Sequence, residues 1–229
     1  MEAVILSGGK GTRLQSVITD IPKTMVDVNG MPFLETTLQW LNKFNINKVV
    51  LAVGYKKEYI KNYFGNNYKN IKLVYSEEEE PLGTGGAIKK ALKECMDDNV
   101  IVMNGDVLAR VNLNKMFENH LSSDSIMTIA VKEMTNFDRF GVVKFNKDRI
   151  TKFEEKKYVK KGFMNTGIYI MNKNIFKNKI EDKSFSIETD YLSKYVNKDK
   201  IFPFIFNGEF IDIGIPEDYK KIQDLFLGK

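Results

Sequence analysis

The chain is short of the residues on which many enzymes build a covalent mechanism. Its 229 residues contain one cysteine, Cys95, and one histidine, His120. A single cysteine excludes an intrachain disulfide framework and any cysteine-cluster metal site, and it fits a reducing compartment. A single histidine excludes a multi-histidine zinc or iron site and argues against a Ser-His-Asp or Cys-His triad. Arginine is scarce as well: Arg13, Arg110, Arg139 and Arg149 are the only four among 35 basic residues. Nucleic-acid readers lean on arginine forks, so a formal net charge of +5 carried by dispersed lysines reads as a solvating surface. No apolar run approaches the roughly 20 residues needed to cross a bilayer. Met1-Glu2-Ala3-Val4 enters an apolar strand with neither a basic leader nor a small-residue cleavage site. These absences lead to the expectation of a cytoplasmic protein with no nucleic-acid or membrane partner.

What is present is ample for a core: 43% of the residues are hydrophobic and 12% aromatic. In the first half, short apolar runs at 3–6, 49–53, 71–75 and 100–103 alternate with helical patterns. The helices are a stretch from about Pro32 (Phe33, Leu34, Leu38, Trp40, Leu41), one with Tyr59, Ile60, Tyr63 and Phe64, and one over 85–95. Buried strands alternating with helices predict a parallel sheet covered on both faces. The second half reads as strands over 126–131, 141–145, 150–153 and 163–171, with helices over 187–195 and 217–225. No linker or repeat divides the chain. The expected fold is therefore a single α/β, Rossmann-like, three-layer domain over 1–229 with a mostly parallel central sheet, and its ligand belongs at the carboxyl edge.

The strongest local feature is Leu6-Ser7-Gly8-Gly9-Lys10-Gly11-Thr12-Arg13, directly after the first strand. Glycines at 8, 9 and 11 let backbone N–H groups approach a polyphosphate without obstruction, and Lys10 and Arg13 add positive charge. The stretch is neither G-x-G-x-x-G nor a Walker A loop. Pro22 stiffens the approach to Lys23, where a compact ammonium near the glycine loop suits a phosphate. Asp106 ends the apolar run 100–103 after a glycine, and Asp212 sits inside Phe210-Ile211-Asp212-Ile213. A carboxylate in an apolar run needs a partner. From the residues alone, these two aspartates read equally as ligands of a divalent cation or as a helix cap and a lysine-paired group. His120 ends a polar helix over 112–121 and reads as surface, and Cys95 reads as packing on the helix 85–95. Phe137 and Phe140 read as pocket lining or as core.

Gly8-Gly9-x-Gly11-Thr12-Arg13 with Pro22-Lys23 resembles the sugar-1-phosphate nucleotidyltransferase family. Later pieces follow in the order that the family shows: Pro81-Leu82-Gly83-Thr84-Gly85-Gly86-Ala87, Asn104-Gly105-Asp106, Phe140-Gly141, Glu154-Glu155-Lys156, Asn165-Thr166-Gly167-Ile168-Tyr169 and Ile211-Asp212-Ile213-Gly214-Ile215-Pro216. Phe137-Asp138-Arg139-Phe140-Gly141 and Phe153-Glu154-Glu155-Lys156 are most similar to the group that guanylylates heptose 1-phosphates. Two departures are visible: Ser7 stands where alanine is usual, and Thr24 where proline or alanine is usual.

The resemblance implies transfer of a nucleoside monophosphate from a nucleoside triphosphate to a sugar 1-phosphate, with Mg²⁺ as cofactor and pyrophosphate as leaving group. Two anions must meet, so fixed positive charge and in-line positioning matter more than a covalent nucleophile. The resemblance puts the nucleotide on Leu6, Gly8, Gly9, Gly11, Thr12, Arg13, Glu80, Pro81, Gly83, Thr84 and Asp106. Arg13 takes the triphosphate, Lys23 the charge developing at the reacting phosphates, and Asp106 and Asp212 the metal. Lys156 takes the sugar phosphate, and Gly141, Glu155, Asn165 and Gly167 the sugar hydroxyls. Residues 1–110 then serve mainly the nucleotide and 111–229 mainly the sugar phosphate. Glu80 favours GTP, because guanine presents N1–H and N2–H₂ side by side and one carboxylate accepts both.

Mannose 1-phosphate guanylylation and uridylyl or cytidylyl transfer stay open within the family, as does self-association. A glycosyltransferase would carry Asp-x-Asp where this chain has Asn104-Gly105-Asp106. A non-catalytic sugar-nucleotide sensor could lose Arg13, Lys23, Asp106 or Asp212, all of which are present. A dinucleotide oxidoreductase would need the absent glycine fingerprint. The chain stops soon after Asp212, so no appended β-helix or acetyltransferase domain is expected. The resemblance also implies a role in supplying activated sugar for surface polysaccharide.

Overall fold

Strand β1 (Glu2–Leu6) runs through the middle of the sheet. The computed structural model describes residues 1–11 and 20–227, and of residue 216 and residues 223–227 only the backbone. After a 3₁₀ turn (Lys23–Met25) come β2 (Asp27–Val28), β3 (Met31–Pro32), α1 (Phe33–Leu41), β4 (Lys48–Val53), α2 (Lys57–Phe64), β5 (Asn67–Tyr68), β6 (Ile71–Glu77) and α3 (Gly83–Ala91). The chain continues through β7 (Asn99–Asn104), β8 (Val107–Ala109), α4 (Leu113–Ser122), β9 (Met127–Phe137), β10 (Val142–Asn146), β11 (Arg149–Glu154) and β12 (Val159–Asn172). It ends with a π-helix (Ile187–Leu192) extended by α5 (Ser193–Tyr195), then β13 (Ile201–Ile205), β14 (Phe210–Asp212) and α6 (Pro216–Leu227).

One ten-stranded sheet carries the fold, with β11-β10-β12-β7-β1-β4-β6-β5 in order and β9 and β13 joined beside β12. β7, β1, β4 and β6 are parallel, and β12 enters antiparallel to β7. Alternate residues of the central strands feed two separate cores. Val4, Val50, Ala52, Val100 and Val102 pack with α3 and the π-helix. Ala3, Ile5, Val49, Leu51, Ile101 and Met103 pack with α1, α2 and α4. Both faces are dry, which is why these strands read as unbroken apolar runs. The expected three-layer architecture is the observed one. Among the described residues no helix is long and apolar enough to cross a membrane.

Two local expectations are corrected. The helix expected over 85–95 stops at Ala91, passes through a 3₁₀ turn, and leaves Cys95 extended and buried. Burial pushes its thiol up to about 12, which fits a packing role. His120 is buried rather than on the surface. Its Nδ1 lies 2.9 Å from the Thr128 hydroxyl and its Nε2 3.1 Å from Asn99 Oδ1. Leu113, Met116 and His120 share the buried face of α4, whereas Leu121 faces out. The spacing of three and four residues was the available signal, and the polar composition of the helix hid it.

Burial pushes the His120 pKa down to about 4 from its ordinary 6.5. The unfolded chain therefore binds one more proton than the folded chain between those values. The His120 contribution is complete above pH 6.5 and is lost as the pH falls towards 4, at no more than about 1.4 kcal/mol per pH unit. In urea unfolding between pH 7 and 4.5, His120→Asn is expected to flatten the acid-side fall in stability relative to wild type. Parallel curves would show that this histidine titrates normally.

Candidate active site

Two cavities open side by side along the carboxyl ends of β1, β4 and β7. The larger, about 820 Å³, runs from Leu6, Gly8 and Gly9 across to Glu78, Pro81, Gly83 and Thr84. The smaller, about 360 Å³, runs over Gly141, Lys156, Asn165 and Gly167. Gly9, Lys23, Asn104 and Asp106 line both, so whatever occupies the two meets at these residues. Thr12 and Arg13 lie outside the described residues.

The chain builds this shared wall from close backbone approaches. Ser7 N–H donates to the Ala52 carbonyl at 2.7 Å, and Tyr55 N–H to that of Gly8 at 3.2 Å, tying the glycine loop to the end of β4. Gly11 has φ +63°, and a Cβ there would stand 2.8 Å from Lys23 Cβ. A side chain at 11 would thus displace the lysine stem. Gly105 donates to the Leu6 carbonyl at 2.9 Å, and a Cβ on it would meet that oxygen at 2.4 Å. Only glycine lets Asp106 come this close to the end of β1.

Lys23 Nζ forms an ion pair with Asp106 Oδ2, with the two side chains 14% and 31% exposed. β14 pairs antiparallel with β8, setting Asp212 opposite Val107. Ile213 N–H donates to the Asp106 carbonyl at 3.0 Å. The two carboxylates line the smaller cavity together. Burial raises the pKa of Asp212, and the neighbouring Asp106 charge raises it further; Lys23, the Gly214 N–H and Arg139 act in the opposite direction. Asp106 caps no helix, since α4 is capped by Asn112 Oδ1, which accepts from Lys115 N–H at 3.1 Å. Asp212 faces an arginine rather than a lysine. Two carboxylates pressed together without full neutralisation are the donor set that a hard cation favours.

The acidic run 77–80 is divided by the fold. Glu77 pairs with Lys57 and Lys61, each at 2.8 Å, which hold its carboxyl down at about 2. Glu79 and Glu80 are exposed at the mouth of the larger cavity. Glu78 turns inward. Its N–H extends the ladder to the Val53 carbonyl at 2.7 Å, its Oε2 accepts from Leu82 N–H at 3.1 Å, and its Oε1 lies against Gly8. Burial raises its pKa. Glu78, Glu79 and Glu80 thus all line the larger cavity, Glu78 half-buried and the other two exposed.

In the smaller cavity, Asn165 is fixed on three sides. Its N–H donates to the Gly141 carbonyl at 2.8 Å, its Nδ2 to the Tyr169 hydroxyl at 2.8 Å, and its Oδ1 accepts from Gly167 N–H at 3.0 Å. Tyr169 is core, as is Phe137, while Phe140 lines the cavity. Glu155 is exposed and lines neither cavity. Both Glu155 and Lys156 lie in the turn after β11, and only Lys156 reaches the cavity. Its neighbour Glu154 is taken up by Lys144, Lys152 and Lys157 at 2.9–3.1 Å.

Glu188 was missed. Its Oε2 accepts from Thr84 Oγ1 at 2.7 Å and from Ser186 Oγ at 2.8 Å, and it lines the smaller cavity. It sits in the first turn of the π-helix, a form enriched at functional sites. In sequence, Ser186 followed by acids reads only as a helix start. Glu188 links the loop entering α3 to the smaller cavity, a connection spanning 104 residues of chain.

Comparison with known proteins adds four findings. The family model described as nucleotidyl transferase matches residues 2–227. The chain is 48% identical over 223 residues to D-glycero-alpha-D-manno-heptose 1-phosphate guanylyltransferase of Aneurinibacillus thermoaerophilus, covering 97% of each. A protein of the same description from Campylobacter jejuni is 46% identical over 220 residues, covering 96% of this chain and 97% of that protein. The crystal structure of HddC from Yersinia pseudotuberculosis complexed with GMP-PN superposes with a TM-score of 0.88 at 37% identity, over 98% of this chain and 99% of that one.

Proposed function

The chain belongs to the nucleotidyl transferase family and is a sugar-1-phosphate nucleotidyltransferase, and from that premise we propose that it transfers GMP from GTP to D-glycero-α-D-manno-heptose 1-phosphate. The observation that carries this reading is the wall shared by the two cavities. A nucleotide-sized space and a smaller polar one meet at Lys23 and Asp106. In the transfer, a sugar-phosphate oxygen attacks the α-phosphorus, the bond to the β-phosphate oxygen breaks, and pyrophosphate leaves. The nucleophile is already anionic, so no general base is needed, in keeping with a chain that has one histidine buried far down its fourth helix.

The residues then divide the work. Gly8, Gly9 and Gly11 admit the phosphates to the backbone, and Arg13 takes the triphosphate, with Thr12 beside it. Leu6, Pro81, Gly83 and Thr84 wall the nucleoside. Lys23 moves its charge from Asp106 towards the reacting phosphates. Lys156 holds the sugar phosphate, and Gly141, Asn165, Gly167 and Glu188 present fixed polar groups to the sugar hydroxyls. Asp106 and Asp212 fit Mg²⁺, which takes one or two carboxylates and completes its shell with phosphate oxygens and water. Bound there, it would neutralise phosphate charge and template the in-line geometry. The site lies in a chain with no membrane-spanning helix among the described residues, which suits a cytoplasmic enzyme.

The direct test is pyrophosphate release with Mg²⁺, each of the four ribonucleotides, and a panel of hexose and heptose 1-phosphates. GTP with the heptose 1-phosphate is expected to be fastest. No release with any pair would sink the enzyme reading, and a faster hexose would replace the sugar. Base choice is assigned to the acidic run, with Glu78 accepting from guanine N1–H and N2–H₂. Glu78→Gln is expected to lower kcat/KM for GTP roughly 10–100-fold, the penalty of mismatched buried hydrogen-bonding groups, with a smaller effect on UTP. Glu80→Gln at the rim should change it little. Reversed effects would move the base contact to Glu80.

A further inference from the structure

Arg139 lies in the loop between β9 and β10 and lines the smaller cavity. Its guanidinium stacks on Phe140 at 5.3 Å, and Phe140 meets Phe210 of β14 edge-on at 5.5 Å. The arginine is thereby held against the strand that carries Asp212. Two carboxylates compete for it. One nitrogen of the guanidinium lies 2.7 Å from Asp218 Oδ2, in the first turn of α6, and 3.6 Å from Asp212 Oδ2. The first is a charge-assisted hydrogen bond; the second is too long to be one.

That difference matters because of what each Asp212 oxygen is doing. Oδ1 already accepts from Gly214 N–H at 2.6 Å. Oδ2 is the oxygen left for a cation, and it lies 3.6 Å from the nearer guanidinium nitrogen. A shift of under an ångström would bring Arg139 into full contact with Oδ2 and occupy the position a metal needs. Asp218 opposes that shift, and it is itself oriented by Lys221 at 2.8 Å.

We propose that Asp218 is a positioning residue for the metal site: by anchoring Arg139 it keeps the guanidinium off Asp212 Oδ2 and leaves that oxygen to the divalent cation. The proposal rests on the assignment of Asp106 and Asp212 as cation ligands. Partners in the outer shell of a metal site commonly change affinity 10–100-fold when altered. Here the effect has a specific sign, because removing the anchor strengthens a competitor.

The test is Mn²⁺ affinity measured by electron paramagnetic resonance on the full chain with GTP and no sugar phosphate, so that no turnover is needed. Asp218→Asn is expected to weaken Mn²⁺ binding on the order of tenfold. Asp218→Glu should retain most of it. Arg139→Met removes the competitor and should bind at least as tightly as wild type. The double variant should recover the affinity lost by Asp218→Asn alone. If Asp218→Asn binds as wild type does, or the double variant stays as weak as Asp218→Asn, or Arg139→Met itself loses affinity, the proposal is overturned and Asp218 merely packs α6. Asp212→Asn separates this from the parent reading: if it binds Mn²⁺ unchanged, the ligand assignment itself has failed, whereas its weakening alongside an unaffected Asp218→Asn removes the anchor alone.

Discussion

Lys23→Met is expected to lower the rate of pyrophosphate release about 10²–10³-fold, the range found when one preorganised charge or donor is taken from a transition state. Lys23 stands on the 3₁₀ turn after Pro22, with its stem packed beneath Gly11 and its ammonium on Asp106. Methionine keeps the stem and its packing, so the loss isolates the charge. Asp106 loses its ion-pair partner, but its side chain is 31% exposed, so water compensates much of the loss. Global stability should fall by no more than about 1 kcal/mol. A single-turnover measurement at saturating GTP and sugar phosphate, with thermal unfolding as control, separates these outcomes. Full retained turnover would show that this ammonium does not act on the reacting phosphates. A collapse of the melting temperature would instead assign Lys23 to the fold.

The second large effect is expected for Asp106→Asn, with turnover reduced by about two to three powers of ten and a raised Mg²⁺ requirement. Asparagine is close to isosteric and still fits beside Gly105, where a longer group at 105 itself would strike the Leu6 carbonyl. What disappears is one negative charge of two. Asp212 is raised partly by the charge of Asp106, so its affinity for protons falls in the variant even as the site loses one of its two negative charges. Added Mg²⁺ should therefore restore only part of the rate. In wild type, removal of divalent cations by a chelator is expected to abolish turnover, and Mg²⁺ to restore it. Turnover that survives both chelation and Asp106→Asn would refute the assignment of the metal to these carboxylates.

Much of the fold was legible because the central strands are buried on both faces. Val49, Val50, Leu51, Ala52 and Val53 alternate between the two cores, and a strand with two dry faces can only be a continuous apolar run. β13 was not legible. Its Ile-Phe-Pro-Phe-Ile contains a proline, which weakens a strand reading, and it pairs with β9 alone, an edge position where proline is tolerated. His120 was misread because a helix with mostly polar residues conceals a narrow buried stripe. Placement at a cavity was legible for residues at or just past a strand end, as Leu6 to Gly9 and Asp106 are. Position was illegible where it depends on which way a loop residue faces: Lys156 lines the smaller cavity and Glu155 neither, and Glu78 is half-buried while Glu80 is exposed.

The shortage of histidine and cysteine excluded by itself an intrachain disulfide framework and a multi-histidine or cysteine-cluster metal site, and argued against a histidine-based triad. The order of glycine, lysine and aspartate motifs carried the resemblance that implied the family and the reaction, and the family match bears that out. The tertiary structure alone decided how they combine. Asp106 and Asp212 are 106 positions apart, and only the pairing of β8 with β14 makes them neighbours whose charges act on each other. Glu188 enters through Thr84, and Asp218 through Arg139, by contacts between segments distant in the chain. Composition and local pattern fix which groups are available, but electrostatic coupling falls with distance in space, and that distance is set by strand register and packing.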